Sequence, residues 1–249
     1  MENEFVVQKM VAKIAEENKA VFTKQDERDG DTIRRLVPVL MQRGVDNMNL
    51  SMLSPELKNK LLNYVGEEYF RKGQVKEAIN SFVLGSNRKK LAEIGEHYEL
   101  VGQLSEAINC YKLASDEEHL IALGKKCLEN FHLKEAMLAF QLVEDSASLE
   151  KVGDECVAKG KYEIATEIYK NLKTTEKLVF VGDACLHDRE YKNALNAYSL
   201  ATAKEKLNSL GDICVQGDQL KLALESYGAA GNEMMVTFLQ ENFPEARLK

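Results

Sequence analysis

A chain of 249 residues, 45% hydrophobic and 29% charged, has the makeup of ordinary folded material and not of a disordered or membrane-embedded one. Its net charge of −7 argues against a surface that tracks nucleic-acid phosphates, and its apolar runs are too short to span a bilayer. The acidic start Met1-Glu2-Asn3-Glu4 lacks the basic and apolar segments of a secretory signal, so the expected compartment is the cytoplasm.

In chain order, Val7, Met10, Val11, Ile14 and Val21 suit one amphipathic helix over 4–22, and the charged stretch 24–31 breaks it as an exposed loop. Ile33, Leu36 and Leu40 then suggest a degenerate repeat helix over 32–43 with Pro38 near its middle. Ser54-Pro55-Glu56 combines an N-cap with proline at the first helical position and opens a regular pattern. Residues 1–54 are therefore read as an N-terminal helical cap or docking segment, 55–232 as a repeat array, and 233–249 as a capping helix and tail.

Within the array, Gly66, Gly95, Gly124, Gly153, Gly182 and Gly211 follow one another at 29-residue intervals. In the same register run Ala78, Ala107, Ala136, Ala165, Ala194 and Ala223, then the rings Phe82, Tyr111, Phe140, Tyr169, Tyr198 and Tyr227. A fixed period of this length marks stacked structural units. Leu62, Val65, Gly66 and Tyr69 are spaced as the stripe of one amphipathic helix, A, and Val75, Ala78, Ile79 and Phe82 as that of a second, B. Gly73, Gly102 and Gly160 between them suit a left-handed helix end, although Phe131, Arg189 and Asp218 hold the place elsewhere. Asn87, Asp116, Asp145, Thr174 and Asn232 are N-cap residues for the next helix A, with Ala203 the exception. A glycine inside a helix costs about 1 kcal/mol relative to alanine. Its recurrence implies close approach, with the glycine expected to face the small alanine of helix B and the downstream ring to fill the remaining gap.

The string Leu62-x2-Val65-Gly66-x2-Tyr69 with Ala78-x3-Phe82 resembles the tetratricopeptide repeat. Leucine takes the tryptophan place, the terminal proline is absent, and the period is 29 against about 34. Short units of this kind are also similar to the helical solenoids of coat and intraflagellar-transport subunits. The resemblance implies an all-α, right-handed superhelical α-solenoid of about six helix-turn-helix repeats with capping helices, whose A helices line a concave, partner-binding surface.

No catalytic constellation stands out: the four histidines fall at unrelated repeat positions, and there is no Cys-x-x-Cys, no metal-binding His-Glu-x-x-His and no phosphate loop. Cys127, Cys156, Cys185 and Cys214 lie 29 apart, but equivalent positions on stacked helices about 8–10 Å apart cannot converge on one metal or form disulfides. The chain is expected to be no enzyme and to need no cofactor or metal. Directly after the repeat glycines comes an acidic row, Glu67, Glu96, Asp154, Asp183 and Asp212, interrupted by Lys125. Beside it runs an apolar row, Phe70, Leu128, Val157, Leu186 and Val215, broken by Glu99. Both rows have a plain reading, as a solvated helix face and as packing between A helices. Their functional reading is a partner-binding groove on a protein-interaction scaffold or adaptor, receiving a basic or amphipathic peptide segment. The alternative is a structural subunit, or fragment of a longer solenoid, that associates with itself or with neighbouring subunits in a coat- or trafficking-type complex. Neither reading involves nucleic acid or membrane insertion.

Overall fold

The computed structural model describes residues 35–45 and 50–243. The helix expected over 4–22 and the loop over 24–31 lie outside them. Two compact units are distinguished, Met1–Asp116 and Glu117–Lys249. The first holds helical residues 35–43 (α1), α2 (Pro55–Arg71), α3 (Val75–Leu84), α4 (Arg88–Leu100) and α5 (Leu104–Ala114). The second holds α6 (Glu117–Glu129), α7 (Leu133–Leu142), α8 (Ser146–Ala158), α9 (Tyr162–Leu172), α10 (Thr175–His187), α11 (Tyr191–Leu200), α12 (Lys204–Gln216), α13 (Leu220–Ala230) and α14 (Glu233–Asn242). Among the described residues there is no strand. Within each unit every helix packs on its neighbours in sequence, and each A helix packs most extensively on the B helix that follows it. The fold is an all-α helical-repeat solenoid.

Both turns of the repeat are built the same way. The A-to-B turn places Gly73, Gly102, Phe131, Gly160, Arg189 and Asp218 at positive φ; the B-to-A turn does so with Ser86, Ser115, Glu144, Lys173, Thr202 and Gly231. In each case the amide of the next residue reaches back to a carbonyl in the last helical turn. His132 N to Cys127 O and Lys161 N to Cys156 O, at 2.8 and 2.7 Å, are examples at the first turn, and Asn87 N to Phe82 O at 2.9 Å at the second. This is the Schellman closure, which satisfies carbonyls that a helix end would otherwise leave bare. Two such closures per unit leave only two- to three-residue connections, which is how the unit fits into 29 residues. Asn87, Asp145 and Asn232 cap the following A helices by accepting from the amides of Lys90, Ser148 and Met235. Thr174 makes no such bond, so its place in the series is carried by the turn alone.

The repeat glycines are buried in the middle of the A helices, and their nearest neighbour is the downstream ring, ahead of the repeat alanine. A β-carbon on Gly66 would stand 2.7 Å from the Phe82 ring, one on Gly95 2.7 Å from Tyr111, and one on Gly211 2.6 Å from Tyr227. The ring of the following B helix occupies the place of the missing side chain. The repeat alanines of helix B are fully buried in every repeat. In the first unit, Leu40, Leu61, Leu62, Val65, Phe82 and Leu91 form one apolar cluster that joins α1 to the array. Pro38 sits within α1 without ending it, and the Tyr69 hydroxyl donates to the Met41 carbonyl at 3.3 Å.

Candidate functional site on the A-helix face

The residue after Gly153, Gly182 and Gly211 meets the tip of the seated ring. In the second unit this brings three carboxylates onto three tyrosine hydroxyls. Tyr169 donates to Asp154 Oδ1 at 2.7 Å, Tyr198 to Asp183 Oδ1 at 2.6 Å, and Tyr227 to Asp212 Oδ1 at 2.6 Å. The rings are buried while the carboxylates reach solvent, so each pair runs from core to surface. A lysine from the next A helix joins two of them: Lys177 Nζ lies 2.8 Å from Asp154 Oδ1 and Lys206 Nζ 2.7 Å from Asp183 Oδ1. Lys177 also reaches Glu150 at 3.2 Å and lies over the Tyr169 ring, 5.7 Å from its centroid. Asp212 ends the series, because Met235 stands 23 residues on, where Lys177 and Lys206 stand relative to Asp154 and Asp183. Among the described residues nothing bonds the second carboxylate oxygen of Asp154, Asp183 or Asp212.

Electrostatics follow from this geometry. Burial alone would raise the Asp154 and Asp183 carboxyls, but the bonds from Lys177 and Tyr169, and from Lys206 and Tyr198, outweigh it and hold both below the usual carboxylate range. Burial, then the bonded carboxylate, pushes the hydroxyls of Tyr169, Tyr198 and Tyr227 well above the usual phenol value. These tyrosines remain neutral donors at any physiological pH. Burial likewise pushes the thiols of Cys110 and Cys156 up to about 11 and that of Cys185 to about 12. All five cysteines are free and buried, as a ladder of small apolar side chains should be.

The remaining residues of the two rows fall as follows. Leu128, Val157, Leu186 and Val215 are half-buried, each partly packed and partly left to solvent beside the carboxylates. In the first unit, Glu67 and Phe70 line a pocket of about 310 Å³ between α2 and α4. Its floor is Phe82 and Ile94, and its rim carries Lys90, Glu93 and His97. Lys90 bonds Glu93 at 2.8 Å, which raises the ammonium above the usual lysine value, with Glu67 adding to the effect. Glu96 lies exposed on α4; the Tyr111 hydroxyl of this repeat donates to Glu99 Oε2 at 3.1 Å.

Sequence reasoning took the acids for a row of charges and missed their tyrosine partners. A signal was available. Aspartate follows the glycine in three of the four repeats whose ring is tyrosine, at Tyr169, Tyr198 and Tyr227; at Tyr111 the residue is Glu96 and the hydroxyl turns to Glu99 instead, whereas phenylalanine at 82 and 140 goes with Glu67 and Lys125. A hydroxyl that needs an acceptor, and a phenyl ring that does not, explains the difference.

Among the described residues no helix is long and apolar enough to cross a membrane, and no group of three histidine, cysteine or acidic side chains could hold a metal ion. No protein-family model matches this chain, and no curated protein is similar to it in sequence.

Proposed function

We propose that the protein is a non-catalytic interaction scaffold whose A-helix face in Glu117–Lys249 receives a basic or amphipathic segment of another protein. The supporting observation is the set of carboxylates at Asp154, Asp183 and Asp212, each held through one oxygen by a buried tyrosine and each with the other oxygen open. Such acceptors are already oriented, so a ligand does not have to freeze them on binding. The two lysines present little obstacle, because Lys177 and Lys206 are 32% and 47% exposed and ion pairs of that kind contribute about 0–1 kcal/mol. An incoming arginine can displace them and form a forked pair. Val157, Leu186 and Val215 alongside supply apolar contact. Successive A helices about 8–10 Å apart match cations seven residues apart on a partner helix, about 10.5 Å. In the first unit the 310 Å³ pocket at Glu67 and Phe70 is of a size to accept one large partner side chain.

The test is calorimetric titration with an amphipathic helical peptide carrying arginine every seventh residue, at low and high salt. The reading predicts salt-sensitive binding that is lost in an Asp154→Lys, Asp183→Lys, Asp212→Lys variant whose helicity is intact. Equal binding by that variant refutes it.

A second reading, assembly with a copy of itself or a neighbouring subunit, draws support from α14, where Met234 and Phe238 are exposed although the helix continues the A-type register with Leu239 buried. Sedimentation over a range of concentrations tests the self-assembly arm of this reading, which requires self-association that Phe238→Ser abolishes.

A further inference from the structure

We propose that the A-to-B turn edge of Glu117–Lys249 carries a separate peptide site, a groove of about 980 Å³ in which Phe131 anchors an extended, arginine-bearing segment. Phe131 occupies, with φ of 58°, the left-handed turn position that glycine fills at 73, 102 and 160 and that Arg189 and Asp218 fill in later repeats. A left-handed backbone costs an ordinary side chain about 1–2 kcal/mol. Burial does not offset that cost, because the ring is 57% exposed. Arg189 and Asp218 bear the same cost with polar side chains; Phe131 bears it with a large apolar ring turned to solvent, which points to use at the surface.

The groove exists because the same position in the next repeat is Gly160. A β-carbon added there would meet nothing within 4 Å, so the space beside Phe131 stays open. Across it stand Tyr162 and Asp188, tied by a hydrogen bond from the tyrosine hydroxyl to the carboxylate. That tie fixes one acidic wall. Glu135, Glu163 and Glu190 add three more carboxylates to the lining against two lysines, Lys134 and Lys161, which makes the groove net acidic.

The ring face carries a cation, which an incoming guanidinium has to displace. Lys159 Nζ already lies over Phe131, 4.3 Å from the centroid. A guanidinium stacks on an aromatic face better than an ammonium, is less strongly hydrated, and can fork onto a carboxylate at the same time. The lining comes from the starts of α7, α9 and α11. Two helix-to-helix steps of about 8–10 Å span roughly 20 Å, or about six residues of extended chain. The occupant is therefore a short extended segment with arginine stacked on Phe131. This site is independent of the A-helix face.

The test uses the full chain and two labelled probes of about six residues, one alternating arginine with alanine and the other lysine with alanine, read by fluorescence anisotropy. Two variants report on the groove. Phe131→Gly installs the residue the same turn carries in three other repeats, and Gly160→Phe installs the one that position 131 already tolerates, filling the space. The arginine probe is expected to bind saturably and more tightly than the lysine probe, and Phe131→Gly to weaken it about tenfold, a loss typical of a desolvated cation–ring contact. Gly160→Phe, if folded by circular dichroism, weakens it at least as much. Saturable binding that is absent in the wild type, equal for both probes, or unchanged in Phe131→Gly overturns the proposal. Asp154→Asn, Asp183→Asn, Asp212→Asn leaves the arginine probe bound; loss there with Phe131→Gly unaffected moves the site to the A-helix face and also overturns it.

Discussion

Replacing Gly153 by alanine adds one methyl group and tests how the repeat is packed. The added β-carbon would stand 2.6 Å from Tyr169 Cζ, 2.7 Å from its hydroxyl oxygen and 2.9 Å from Cε1. All three distances are inside contact range, and the ring is fully buried, so it has no free space into which to retreat. Overpacking of this kind costs about 1–3 kcal/mol. Any tilt of the ring also strains the bond to Asp154, which adds up to about 1 kcal/mol once the exposure of the carboxylate is allowed for. Against these stands the gain of about 1 kcal/mol from alanine in a helix interior. The balance is a destabilisation of about 0–3 kcal/mol. Urea unfolding followed by far-UV circular dichroism measures it. In a Tyr169→Leu background the clash disappears and the same substitution should become stabilising by about 1 kcal/mol. Gly153→Ala that stabilises the wild type, or that has the same effect in both backgrounds, refutes the seated-ring account.

Tyr198→Phe removes the donor to Asp183 and should lower stability by about 1 kcal/mol at neutral pH, measured in the same way. Because the folded Tyr198 hydroxyl titrates above the free value of about 10, its contribution is whole below that pH and is lost as pH rises toward the folded value; the gap between wild type and Tyr198→Phe should therefore shrink in alkali. Asp183 behaves in the opposite sense. Its depressed pKa gives stability that is present above pH about 4 and lost as pH falls through the folded value, so Asp183→Asn should be relatively less destabilising in acid. Met235→Lys supplies a cation opposite Asp212 and should raise stability slightly, by no more than about 1 kcal/mol, with the gain reduced by salt. Buried thiols with raised pKa values predict that Cys156 and Cys185 react with a thiol reagent only as the chain unfolds, which a stopped-flow comparison in water and urea will show.

The helical period was legible because glycine, alanine and ring are all fixed by packing, and packing repeats with the fold. The left-handed A-to-B turn was legible through Gly73, Gly102 and Gly160. Its counterpart between B and A was not, because Ser86, Ser115, Glu144, Lys173 and Thr202 adopt positive φ without glycine. There the Schellman bonds hold the backbone and the side chain is free to vary. At the candidate site, the position of Asp154, Asp183 and Asp212 on one helix face followed from spacing. What each touches did not, since Tyr169 lies 15 residues from Asp154 and Lys177 lies 23, and only the stacking of A on B and on the next A joins them. Periodicity placed glycine, alanine and ring together on the A–B interface but did not say that the ring comes nearest the glycine.

The central claim is that Gly153, Gly182 and Gly211 each seat the tyrosine ring that orients the neighbouring aspartate. Nuclear Overhauser contacts between the α-protons of Gly153, Gly182 and Gly211 and the ring protons of Tyr169, Tyr198 and Tyr227 test it most directly. The account predicts a strong contact in all three pairs, with the glycine α-protons shifted by the ring current. Glycine α-protons at ordinary shifts, with no contact to those rings, would contradict it.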